Sequence, residues 1–362
     1  MARIPFISLS RRADADVVSR RPLDPVVTPS RIIKIVLLLL AAFLVVMMTS
    51  LMMGPGGLSP LSLAGRLFTL LQGAGAGLDA SEKTILFSIR LPRILLAGVV
   101  GASLSAAGVV FQAVLRNPLA DPYILGISGG SAVGAIIGIL IGAGAVPFGV
   151  AGLAFLGALL TIVTIFGVAG TRTDGQSNTL LLTGVIINAF FSAVIMFMIS
   201  ISTSDRLHSV FFWLMGDLSL AESGEVLVAA LFLLAGFMVI FLYARPLNLM
   251  LTGDETAMQL GVEVEKTKKI LLVTASMMTA AAVSVSGTIG FVGLIIPHLL
   301  RLTLGPDHRL LLPAAVLFGA SFLAAADTIA RSVMAPVELP VGVVTALCGA
   351  PYFIYLLYRR TV

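Results

Sequence analysis

The length of its uncharged runs constrains this chain more than any other feature. Eight stretches contain no Asp, Glu, Lys or Arg: Ile35–Gly65, Ile94–Leu115, Pro122–Thr171, Gly175–Ser204, Val226–Ala244, Ile270–Leu300, Leu310–Ala326 and Leu339–Tyr358. A helix needs about 20 mostly apolar residues to cross the hydrocarbon core of a bilayer. Two runs are too long for one crossing. Pro122–Thr171 breaks at Gly144-Ala145-Val146-Pro147, and Ile270–Leu300 breaks around Ser286-Gly287-Thr288-Ile289-Gly290. The reading is an all-α, polytopic integral membrane protein with about ten transmembrane helices. The segment near Gly290–Arg301 is short and holds Pro297, so it is either a short crossing or a re-entrant helix. Composition agrees with a lipid solvent. Charged residues are 11% of the 362 and hydrophobic residues 58%, whereas a soluble domain carries about 25% charged residues. An ordinary cytoplasmic enzyme, a disordered chain and a nucleic-acid binder are excluded, and the net charge of +5 does not restore the last of these.

Charge placement sets an orientation. Lys and Arg favour the cytoplasmic side, and both termini are basic, which requires an even number of spans. With ten, seventeen of the 23 basic residues fall inside and six outside, namely Arg66, Lys83, Arg90, Arg93, Arg206 and Arg331. Residues 1–31 read as a disordered basic cytoplasmic tail and 32–362 as the membrane domain, with a cytoplasmic loop at 245–269. Ser10-Arg11-Arg12 is followed by Ala13-Asp14-Ala15-Asp16 rather than an apolar run, so the first span is read as retained and not as a signal segment.

The third span carries Gly126, Gly130, Gly134, Gly138 and Gly142, each four apart. That spacing lets a neighbouring helix approach closely; helix packing is one reading and lining of a substrate path the other. Ionisable residues within the spans are scarce: Asp327 and Glu338 lie near span ends, and His298 stands alone. Proton relays and ion pathways normally need several. Three scattered histidines and one cysteine, Cys348, offer no metal spacing and no internal disulfide. No G-x-x-x-x-G-K-[ST] phosphate loop occurs, so the chain is read as a non-enzyme whose energy comes from elsewhere. In the 245–269 loop, Asp254 and Glu255 stand at the expected start of a short helix, where carboxylates suit the dipole, and Gly261 at its stop. That segment is either a plain linker or a docking helix for a motor subunit.

Several segments together resemble the FecCD-type permease subunits of ABC importers for iron-siderophores, haem and cobalamin. They are RLPR (90–93), QAVLRNPLADPYILGISGG (112–130), NLMLTGDETAMQLGV (248–262), SGTIGFVGLIIPHLLRLTLGPDHRLLLP (286–313), ADTIAR (326–331) and ELPVGVVTALCGAPYFIYLL (338–357). The resemblance covers the chain from about Ile32 onward. It implies a ten-helix subunit of the bacterial inner membrane that pairs with a second copy of itself, two ATPase subunits and a periplasmic binding protein. It also implies that this chain binds no cofactor and that ATP and Mg are used by the partner ATPase.

The resemblance also carries over roles. Arg90, Arg93 and Arg331 match outside arginines that dock the binding protein by charge pairing, although Arg90 and Arg93 also read as simple interface anchors. Asp254, Glu255 and Gly261 fall within the segment matching the ATPase-contact helices. Asn117 and Leu119, with Pro118, match an Asn-Pro-Leu turn at the cytoplasmic gate, to which Gly175–Asn178 is added. Pro118 bars Asn117 from helical geometry whatever the role. The competing reading is an ion-coupled secondary transporter of a small organic solute with an inverted repeat. No residue selects among siderophore, haem and cobalamin.

Overall fold

The computed structural model describes residues 27–54, 79–169 and 176–361. Among the described residues all regular structure is helical. The elements are α1 (Pro29–Met52), α2 (Ala80–Val114), α3 (Ile127–Ile141), α4 (Gly149–Ala169), α5 (Gln176–Ser200), α6 (Ser204–Met215), α7 (Ser223–Leu242), α8 (Ala244–Met250), α9 (Asp254–Gln259), α10 (Val264–Ser286), α11 (Val292–Leu304), α12 (His308–Ser332) and α13 (Val341–Thr361). Seven are long and apolar enough to cross a membrane, and α3, α11 and α13 are shorter apolar helices. The ten expected runs therefore all appear as helices. Nearly all of the expected tail lies outside the described residues, but α1 begins inside it, at Pro29, with Thr28 Oγ1 accepting from Arg31 N at 3.3 Å.

The helix α2 is the central pillar. Its sequence LAGVVGASLSAAGVV is small-residue rich, and 89% of its apolar stretch is buried. The small residues permit close crossings. A methyl group at Gly101 would collide with the backbone of Gly319 on α12, and one at Gly108 with the backbone of Gly293 on α11. By contrast, α1 and α5 bury little or nothing of their apolar stretches, so their Leu, Val, Ile, Met and Phe side chains stand outward.

Two expected boundaries move for one physical reason. The run Leu310–Ala326 becomes α12, His308–Ser332, and continues through Asp327 and Arg331; the run Ile94–Leu115 becomes α2 and begins fourteen residues earlier, at Ala80. Within α2, residues Thr84–Arg90 form a wide π turn ahead of Pro92, which has no N–H for the regular ladder. Charges stop a sequence-defined run, but Arg90, Arg93, Asp327 and Arg331 find partners across helices and so remain inside them.

The helices α3 and α11 have 15 and 13 residues. At 1.5 Å per residue they reach about 20 Å, well short of the ~30 Å hydrocarbon core. Each is preceded by irregular backbone. Residues 115–126 hold Arg116 and Gly126 at positive φ and a single turn of 3-10 helix at Pro122–Leu125; residues 287–291 hold Gly287 and Phe291 at positive φ. The segment at Gly290–Arg301 is thus a short helix, and the third span is a second one.

Candidate functional site

Three polar assemblies stand out, one at each end of the bundle and one at the helix breaks. At the first end, α12 places Asp327 and Arg331 one turn apart, against Arg90 and Arg93 of α2. Arg93 Nε donates to both oxygens of Asp327 at 3.0 and 3.1 Å, Nη2 donates to Oδ1 at 2.9 Å, and Nη1 donates to Glu338 Oε2 at 2.5 Å. Arg331 Nε lies 3.6 Å from Asp327 Oδ2, and its Nη2 donates to Ser50 O. Arg90 donates to Leu51 O and Gly54 O, both at 2.9 Å. The side chains of Asp327 and Arg331 are 1% and 2% exposed, that of Glu338 32%. Three guanidinium groups and two carboxylates leave a net charge of +1. The sequence reading places Arg90, Arg93 and Arg331 on the outer side, as candidates for docking a binding protein. All three are buried, because an unpaired charge among apolar helices is costly and two carboxylates and the end of α1 lie within reach.

The opposite end carries α8 and α9. Asp254, first residue of α9, accepts from Arg116 Nη2 at 2.6 Å and from Lys268 Nζ at 2.7 Å, while Arg116 Nη2 also donates to Met250 O at 3.1 Å. Gly253 and Gly261 flank the helix at φ +120° and +87°. Glu255 is exposed, as are Leu251, Met258 and Leu260, whereas Ala257 is buried. The segment is a helix clamped at its first residue, with an open apolar side. Asn248 ties the same region to the start of α12, donating to Asp307 Oδ1 at 2.8 Å and accepting from His308 N at 2.9 Å. The Arg309 guanidinium, hydrogen-bonded to Asp307, holds that carboxyl down to about 2.

The Asn117 turn lies beside this clamp, next in sequence to Arg116. Asn117 Oδ1 accepts from Leu119 N at 2.9 Å and Asn117 O from Ala120 N at 3.0 Å. Asn117 is thus the scaffold of the turn, and Leu119 stands 46% exposed on it. Gly175 lies outside the described residues, so the Gly175–Asn178 turn is not placed.

At the helix breaks, Pro297 within α11 has no N–H to offer Gly293 O one turn before it. Gln112 of α2 supplies a substitute: its Nε2 donates to Leu294 O at 3.0 Å and Gly293 O at 3.4 Å, and Arg301 Nη1 fixes the amide by donating to Oε1 at 2.9 Å. Bilayer hydrocarbon leaves such groups no water, so broken helices survive where protein satisfies them.

This arrangement is that of a known group of permeases. The sequence profile of the FecCD transport family matches residues 38–359. The chain belongs to the FecCD transport family. A cobalamin import system permease protein, BtuC, of Halobacterium salinarum is 46% identical over 286 residues, 79% of this chain and 76% of the relative. A hemin transport system permease protein, HmuU, of Yersinia pestis is 40% identical over 331 residues, 89% of this chain and 96% of that one. A solved structure described as a metal-chelate-type ABC transporter in an inward-facing conformation superposes with a TM-score of 0.77 at 32% identity, covering 90% of this chain and 99% of the other.

Within this FecCD permease the five glycines of the third span divide into two uses. Methyl groups at Gly130 and Gly134 would strike α4, the former lying 2.6 Å from Gly157 O, so both serve packing; at Gly138 the clearance is looser, 3.2 Å to Val150 Cα. Gly126 and Gly142 add a conformational use: they sit at φ +76° and +77° at the two ends of α3, where a left-handed turn is needed. A methyl group at Gly126 would still lie 3.1 Å from Ile187 Cγ2 of α5, whereas one at Gly142 would meet nothing within 4 Å. The sequence reading gave no role to Asp327, Glu338, Gln112, Arg301, Tyr123 or Asn248. The pair Asp327 and Arg331, four apart within one helix, was the local signal available for the first cluster.

Proposed function

We propose that this chain is the membrane-spanning permease of an ATP-driven importer, acting as a homodimer with two ATPase subunits and a periplasmic binding protein. Its cargo is an iron-siderophore, haem or cobalamin-type chelate. The short helix α9 carries the reading: it is clamped by Arg116 and Lys268 through Asp254, yet leaves Met258 and Leu260 bare at one end of the bundle. A rigid ledge with an open apolar side is what a motor subunit needs to push against. ATP and Mg belong to that partner, and this chain binds no cofactor. The outward apolar face of α5 is offered to the second copy.

In this reading both termini and α9 are cytoplasmic in a bacterial inner membrane, and Asn117 and Leu119 border the inner gate. The arginine cluster faces the binding protein. Docking through Arg90, Arg93 and Arg331 then needs a partner carboxylate to displace Glu338 or the backbone carbonyls that occupy them now.

The test is co-purification and uptake with the complete complex. Deleting Asp254–Gly261 is expected to release the ATPase while the bundle remains folded; recovery of ATPase at the wild-type ratio overturns the coupling role. If the chain alone, in liposomes without ATP, accumulates a chelate under a pH step, the ion-coupled carrier replaces the importer.

A further inference from the structure

Tyr123 lies in the 3-10 turn that leads into α3 and touches three elements at once. Its backbone is fastened to α5: Asn188 Nδ2 donates to Tyr123 O at 3.2 Å, and Gly184 lets the backbone of Ile124 rest directly against α5. Its phenol reaches the break between α10 and α11. The hydroxyl donates to Ile289 O at 2.9 Å and accepts from Ile289 N at 3.0 Å. One side-chain oxygen thereby satisfies both polar groups of a residue that is outside any helix.

The same break is stitched to the chain segments next to it. Ser286 O accepts from Asp217 N at 2.9 Å, Thr288 N donates to Trp213 O at 3.3 Å, and Thr288 Oγ1 donates to Leu214 O. Gly216 O in turn accepts from Val341 N, at the start of α13, at 3.1 Å. Residues 286–289 therefore connect α6 and α13 to α11, whose far end runs to Arg301 near the α8–α9 side. Tyr123 adds α3 and α5 to that junction. Tight crossings at glycine pack α3 onto α4, and α2 onto both α11 and α12. Such packed pairs move as units, and motion is taken up at irregular backbone between them.

We propose that Tyr123 is a positioning residue of the transport cycle. Its hydroxyl couples α3 and α5 to the α10–α11 break, so that displacement of α11 is passed to α3 and α5. This rests on the importer reading for its functional half, while its structural half stands by itself.

The experiment uses Tyr123→Phe, which keeps the ring and removes the oxygen. In the full chain in lipid nanodiscs, site-resolved hydrogen exchange is expected to be at least tenfold faster at the Ile289 amide, with amides inside Thr267–Val283 unchanged. Unchanged exchange at Ile289, or acceleration spread along α10, overturns the joint. In the complete complex in liposomes, offered cyanocobalamin, haemin and a ferric hydroxamate in turn, uptake per ATP hydrolysed is expected to fall at least tenfold while hydrolysis stays within twofold of wild type. Uptake and hydrolysis falling together would mark a merely structural tyrosine and overturn the transmission role. Wild-type complex that accumulates none of the three refutes the importer reading for these cargoes, while the exchange experiment still decides the joint. If the Phe variant does not insert, wild-type Ile289 decides instead: its amide is expected to be protected, and an unprotected amide overturns the proposal.

Discussion

Single residues in this bundle are set either by contact or by backbone conformation, and the two have different costs. Gly130 is set by contact, since a methyl group there would overlap Thr161 Oγ1 and lie 2.6 Å from Gly157 O. Overpacking of this kind costs about 1–3 kcal/mol. Gly142 has open space but a φ of +77°, where an L-residue loses about 1–2 kcal/mol without forcing helices apart. Gly130→Ala is therefore expected to lower the thermal midpoint in detergent and to loosen α3 from α4, and Gly142→Ala to lower it without separating them. A cysteine cross-link across α3 and α4 separates the cases; retained cross-linking in Gly130→Ala would contradict the contact argument. Asp307 is a conformational anchor of another sort. It accepts from Arg309 N at 2.9 Å and pairs with the Arg309 side chain. Its carboxyl is held at about 2, below the ordinary value of about 3.9. A depressed folded-state value means stability that is present above about pH 4 and lost as pH falls towards 2. The difference in unfolding midpoint between wild type and Asp307→Asn is expected to be constant above that window and to shrink within it; a difference independent of pH down to 2 would exclude the ion pair as its source.

At the scale of elements, the repair of α11 is the feature most open to a cycle of substitutions. Pro297 removes one helical hydrogen bond and Gln112 replaces it from α2. Gln112→Leu strands the carbonyl of Gly293, which Pro297 leaves without a helical donor, and a stranded buried polar group costs about 1–3 kcal/mol. Pro297→Ala returns the N–H, so in that background Gln112→Leu should cost markedly less. Unfolding free energies of the two single variants and the double variant test this, and additive effects would mean that Gln112 does not serve the proline. The cycle also marks how far the sequence was legible. The ten apolar runs, the short helix near Gly290–Arg301 and the α9 segment were all readable, because periodicity, length and turn residues are local signals. The true ends of α12, α2 and α10 were not, since a run counted by charge stops at Asp327, Arg93 and Lys269, and the helices continue through all three. Gln112 and Tyr123 were invisible for the same reason: their partners, Leu294 and Ile289, lie 182 and 166 residues away, and nothing beside them in the chain announces the pairing. The arginine cluster was legible in its membership and its end of the molecule, but not in its burial.

For the whole molecule the separation of the two polar ends becomes a statement about the membrane. One end gathers Arg116, Asp254, Lys268, Asp307 and Arg309; the other gathers Arg90, Arg93, Asp327, Arg331 and Glu338. The basic residues of the whole chain divide seventeen to six between the two sides in the ten-span reading, and the proposed orientation, with the α9 end cytoplasmic, rests on that bias. The α9 end holds half-exposed ion pairs with exposed apolar neighbours, whereas the other end holds three guanidinium groups inside the bundle against two carboxylates. Two exposed apolar side chains offer reporters, Met258 on α9 and Val337 just beyond α12. With Cys348, itself exposed, replaced by Ala, Met258→Cys is expected to react with a membrane-impermeant maleimide in inverted vesicles and not in intact spheroplasts. Val337→Cys is expected to show the opposite pattern. Labelling of both from one side would break the two-ended arrangement, and exchange of the two patterns would turn the transporter over, placing the motor ledge outside the cell where no ATP is supplied and excluding the importer reading.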